Sequence, residues 1–168
     1  MYKVNDYIIY KRDVCKINEI KKNYYGGKDY YSITPIIDNT LTINVACDSP
    51  KIKDILTKEE ASKIIEAIPN VEIIDSNDKT LENIYKSLLA TDDILDLVKI
   101  IKTTYLRNKS RVDSGKQIGD KDKSYFDQAE KYLYNTLGIS LGMNYEETKK
   151  YIINKIGEQK WFLVLKMI

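Results

Sequence analysis

The chain contains no histidine, the side chain that most readily moves protons near neutral pH. Acid–base chemistry by carboxylates or lysine would need a recognisable setting. There is no glycine-rich phosphate loop, no G-x-S-x-G elbow and no set of carboxylates at metal-binding spacing. Cys15 and Cys47 lack a C-x-x-C spacing and have no histidine to complete a zinc site, so no metal or cofactor is expected. An enzyme is therefore the least favoured class. Charge offers more. Up to residue 78 there are 11 basic and 13 acidic side chains, and from residue 79 onward 16 and 12. The excess gathers where Lys99, Lys102, Arg107, Lys109, Arg111, Lys116, Lys121 and Lys123 face only Asp113, Asp120 and Asp122. Such a cluster could contact phosphates. A bland reading stands beside it, because cations near a helix C-terminus complement its dipole and a basic face is often only solvated.

The elements that must carry these residues fall into two blocks. With 43% hydrophobic and 31% charged residues, the 168-residue chain has the balance of a globular protein. Fourteen tyrosines imply many rings half in the core, with each hydroxyl seeking a partner. From residue 6 to 47 the pattern is strand-like. Tyr7-Ile8-Ile9-Tyr10 is short and apolar, and residues 14–20 alternate. Gly26-Gly27 marks a turn, and residues 41–47 alternate again. Four or five short antiparallel strands in so little chain predict a strongly bent sheet or small barrel.

Pro50 ends that pattern, and the rest reads as helix. Thr57 stands three residues before Glu60, as in a capping box, and Pro69 stops the helix it opens. Further helices are predicted over 77–90, 92 to about 111, 121–137 and from Asn144 through Ile153, a set suited to a compact bundle. The expected division is a β domain over 1–50, a helix and linker over 51–76, and a helical domain over 77–168. The apolar tail Trp161–Ile168 should dock on the helices or on a partner. No run approaches the roughly 20 apolar residues of a membrane helix, nor is there a signal-peptide stretch, so a cytoplasmic location without a membrane partner is expected. The oligomeric state stays open.

The segments Lys3–Tyr10, Val14–Ile20, Tyr30–Ile33 and Thr42–Val45 resemble, in order and spacing, the strands of the RNA-polymerase-interacting domain of CarD-family bacterial transcription regulators. The resemblance continues through Tyr85-Lys86, Asp92-Asp93-Ile94, Leu97–Lys102, Tyr105-Leu106-Arg107 and Ala129–Leu133, and so covers residues 2 to about 143. It implies an α+β protein: a Tudor-like, bent antiparallel β domain that grips the polymerase β subunit, followed by a helical domain. The helical domain would meet promoter DNA at the upstream edge of the transcription bubble without reading sequence. The protein would then act by differential affinity for the melted complex, not by covalent chemistry. The alternative is a polymerase-binding module without direct DNA contact.

The departures fall at Asp13 and Ala46, where the family usually has glycine and proline, and at Leu81, where many members place a tryptophan that wedges into the minor groove. Leucine can wedge between base steps but cannot donate a hydrogen bond as indole does. A core-facing Leu81 is the competing reading. For the polymerase, Thr42 and Asn44 are the candidates, accessible if Ile43 and Val45 face the core. For DNA, Lys86 follows Tyr85 as a lysine does in the family, while Lys102, Arg107, Lys109 and Arg111 are candidates from charge and position, with Leu81 as the wedge.

Overall fold

The computed structural model describes residues 1–157. It is an α+β arrangement of two compact units, Met1–Leu56 and a helical unit that begins at Thr57. The first unit therefore ends six residues later than expected, because a short strand follows Pro50, ahead of the helix that Thr57 opens as expected, in the segment read as helix and linker. Strands β1 (Tyr7–Tyr10), β2 (Asp13–Tyr25), β3 (Lys28–Pro35), β4 (Ile43–Ala46) and β5 (Ile52–Asp54) form one antiparallel sheet in the order β4-β3-β2-β1-β5. Three residues were too few to show an alternation of their own. β5 is held by pairing with Ile8–Tyr10 and by the Tyr2 hydroxyl, which donates to Asp54 Oδ1 at 2.6 Å.

The sheet closes over Ile8, Cys15, Ile17, Tyr31, Ile33 and Val45, with Tyr2, Ile20, Ile43 and Ile52 packed at the margin. Tyr31 is 1% exposed and its hydroxyl accepts the Tyr2 backbone N–H at 3.1 Å. A ring can be buried in so small a core because its polar tip is satisfied. The β2–β3 ladder loses register between Ile17 and Glu19 and again between Lys21 and Tyr25. Bulges of this kind bend and twist a strand, which is how a 13-residue β2 follows a curved surface. The turn at Gly26-Gly27 has φ of 58° and 73°, a left-handed pair that glycine adopts without strain.

The helical unit holds α1 (Lys58–Ala67), α2 (Asp78–Ala90), α3 (Ile94–Asp113), α4 (Asp120–Leu141) and α5 (Tyr145–Ile156). α1 opens on the Thr57–Glu60 capping box and passes at Pro69 into a 3-10 turn over Ile68–Asn70. It packs on α3, α4 and α5, so it belongs to the bundle and is not part of a linker. Asn77 caps α2, and Asn144 with Glu147 forms a second capping box on α5. The apolar stripe on α3 is buried at Leu97, Val98, Ile101 and Tyr105, whereas Leu106 is 41% exposed. On α4 the stripe is buried at Phe126, Ala129, Leu133 and Leu137. The tail 161–168 lies outside the described residues, and so does its expected docking.

Gly138 on α4 lies close against α5 and the turn before it. A Cβ there would sit 2.6 Å from Thr148 Oγ1 and 2.8 Å from the Met143 backbone oxygen, and the backbone oxygen cannot rotate away. Gly138→Ala is therefore expected to destabilise the helical unit by about 1–3 kcal/mol, the usual cost of overpacking, despite alanine's higher helix propensity. Urea unfolding followed by circular dichroism measures this, and an unchanged midpoint would contradict it.

Candidate functional site

β4 forms one edge of the sheet, so among the described residues its outer side pairs with no further strand. Alternation turns Val45 into the core at 6% exposure and packs Ile43 against it, leaving Asn44 exposed opposite Ser32. Thr42 is also exposed, one residue ahead of the strand. Both polymerase candidates are thus accessible on an open sheet edge, a geometry that can accept an added strand or a side-chain contact.

The candidates in the helical unit are placed very differently from one another. Leu81 is 3% exposed on the buried face of α2, one turn from Tyr85 at 2%. A minor-groove wedge must be free to enter DNA, so in this structure Leu81 is a packing residue. Lys102 points back across the bundle, where its ammonium donates to the backbone oxygens of Ile68 at 2.7 Å, Pro69 at 3.2 Å and Val71 at 2.9 Å. It gathers the carbonyls of the 3-10 turn that follows α1, and burial lowers its pKa. These three bonds occupy its donors, which removes the reason for assigning it to phosphate.

Arg107 is held by two carboxylates. Its Nε donates to Asp122 Oδ2 at 2.9 Å and its terminal nitrogen to Asp78 Oδ1 at 2.8 Å. Asp122 is 7% exposed and also accepts the Tyr85 hydroxyl at 3.1 Å. Burial, and then the Asp122 charge, push the Tyr85 phenol well above its ordinary pKa, so it stays a donor. One cluster thereby ties α2, α3 and α4 together. A groove of about 380 Å³ brings Leu81, Arg107 and Arg111 side by side with Ser76 and Ser110.

The remaining cations are nearer the surface. Arg111 Nε donates to the Gln117 backbone oxygen at 2.8 Å, and Lys109 pairs with Asp113 at 2.6 Å. Lys86 lies 3.3 Å from Glu82 with 61% of its side chain exposed. Lys99, Lys121 and Lys123 pair with Asp96, Glu82 and Asp127. The run that carried a local excess of five positive charges in sequence is therefore largely neutralised by carboxylates from other turns and helices. Position along the chain could not reveal this, since four of those partners, Asp78, Glu82, Asp96 and Asp127, lie outside the counted window. Exposed pairs of this kind are weak and exchange readily with other anions, so Lys86, Lys109 and Arg111 remain reachable by phosphate.

Neither cysteine is set up as a nucleophile. Burial raises Cys15 to about 12 and also raises Cys47, the opposite of the shift a reactive thiolate needs. Among the described residues no group of three metal-binding side chains could hold an ion, and no helix is long and apolar enough to cross a membrane. No family model matches the chain, and no curated protein matches it.

Proposed function

We propose that this protein is a transcription regulator of the CarD kind, which binds the RNA polymerase β subunit through its β unit and promoter DNA through its helical unit. The observation that supports the reading is the edge strand β4, beside which Asn44 and Thr42 are exposed. By binding the melted promoter complex better than the closed one, the protein would shift that equilibrium by its differential affinity. Phosphate contact would fall to Lys86, Lys109 and Arg111, which positions the protein without reading bases.

Capture of core polymerase by the full chain tests the first half. Asn44→Glu is expected to weaken capture roughly five- to tenfold, the scale of one lost hydrogen bond, with no change in thermal stability because the side chain is exposed. Unchanged affinity would mean that β4 is not the contact edge.

The burial of Leu81 and the internal bonding of Lys102 and Arg107 favour a second reading, a polymerase-binding module that makes no direct DNA contact. Titration of forked promoter DNA at low and high salt separates the two. If Lys86 meets a phosphate, Lys86→Glu weakens binding and reduces the salt slope by about 0.9. If the wild-type chain does not bind DNA at low salt, the second reading replaces the first.

A further inference from the structure

The tip of the β2–β3 hairpin carries exposed aromatic rings among lysines. The neighbouring strands stop short of it, since β1 pairs with β2 only as far as Lys16 and β4 pairs with β3 only from Tyr30 onward. Tyr31 faces the core, so Tyr30 faces outward, and Lys21 lies opposite it in the ladder. Between Lys21 and Tyr25 the ladder bulges, with Asn23 at φ 47°. The bulge brings the Tyr24 ring to within 5.4 Å of the Tyr30 ring, tilted by 60°, and places Lys21 Nζ 4.7 Å from the centroid of Tyr24. Tyr25 pairs with Lys28 across the glycine turn. Tyr24 is 51% exposed and Tyr25 is 74% exposed. Isolated exposed tyrosines need no explanation, but three with cations on one projecting ribbon form a patch.

We propose that this hairpin tip binds single-stranded nucleic acid, with unpaired bases stacking on Tyr24 and Tyr25 and the backbone following the lysines. Base stacking on an aromatic ring needs no particular sequence and is available only where bases are free of a partner strand. Charge selects the occupant. Lys21 makes no ion pair among the described residues, and Lys22 and Lys28 are held only by exposed pairs with Asp29 and Asp48, which a phosphate can displace. The site belongs to the β unit and is independent of the polymerase reading, and its binding test is made on the chain without polymerase.

The experiment is fluorescence anisotropy of a labelled oligothymidylate of about 12 nucleotides, within the usual span of one small binding fold, titrated with the full chain. Binding should exceed that of a duplex of equal length. Tyr25→Ala should weaken it by about five- to 100-fold, the range for one lost base stack, while Tyr25→Phe keeps it. Lys21→Ala should lower the log–log salt slope by about 0.7. Melting curves of the same variants show that the sheet is intact. The proposal is overturned if the wild-type chain does not bind the oligonucleotide, if a folded Tyr24→Ala/Tyr25→Ala chain binds it unchanged, or if Tyr25→Phe fails as alanine does. If the tyrosine variants lose polymerase capture and the wild-type chain ignores the oligonucleotide, the patch is a protein contact and the nucleic-acid assignment falls.

Discussion

Replacing Asp122 with alanine is expected to destabilise the helical unit by about 2–4 kcal/mol, somewhat below the cost of breaking a fully buried ion pair. The discount has a structural reason. Arg107 keeps 34% of its side chain exposed and retains Asp78, so its charge is not stranded when Asp122 goes. The Tyr85 hydroxyl is worse off, because its residue is 2% exposed and Asp122 is its bonded acceptor. Removing an acceptor from a buried donor costs the desolvation of that donor as well as the bond. Tyr85→Phe provides the internal comparison. It deletes the donor and should cost only about 1 kcal/mol. The double variant should then cost less than the sum of the singles, because the two changes share one bond. Urea unfolding of the four chains measures each step, and strict additivity would show that Tyr85 and Asp122 act independently.

The sequence made some of this architecture legible and hid the rest for identifiable reasons. Helix ends were readable because capping is local chemistry: Thr57 with Glu60 and Asn144 with Glu147 form reciprocal bonds over three residues. The hairpin was readable because Gly26-Gly27 adopts a backbone that few other residues tolerate. β5 was not, since a three-residue strand is specified by the partner it pairs with and not by its own pattern. α4 runs on to Leu141 where its expected end was 137, because Gly142, not Gly138, supplies the left-handed terminus. Gly138 is instead reserved for the close approach of α5.

The candidate site shows the same division. That Thr42 and Asn44 would be exposed followed from strand alternation, a local rule. Where the cations would go did not follow, because Arg107 meets Asp78 and Lys121 meets Glu82 across 29 and 39 residues of chain. Lys102 was the hardest to foresee, since its partners are backbone oxygens and carry no mark in the sequence. The tyrosine patch was visible as composition but not as a site, because only the bulge at Asn23 turns Tyr24 onto the face of Tyr30.

Leu81 provides the second large effect, and it separates two roles that sequence left balanced. At 3% exposure, Leu81→Ala is expected to cost about 2–5 kcal/mol through lost burial and an incompletely collapsed cavity. For a unit of this size that lowers the melting temperature by roughly 10 °C or more. A surface wedge would show the opposite pattern, with little loss of stability and a shorter open-complex lifetime. The sharper variant is Leu81→Trp, which installs the residue that the sequence resemblance would place there. On an exposed face an indole would be tolerated and would favour minor-groove insertion. On the buried face of α2 it must displace its neighbours, and overpacking of this kind costs about 1–3 kcal/mol. Both substitutions are therefore expected to lower the melting temperature, alanine by leaving space and tryptophan by exceeding it. Differential scanning fluorimetry of the two variants decides between the roles, because a wild-type melting temperature for Leu81→Trp would place this side chain outside the core.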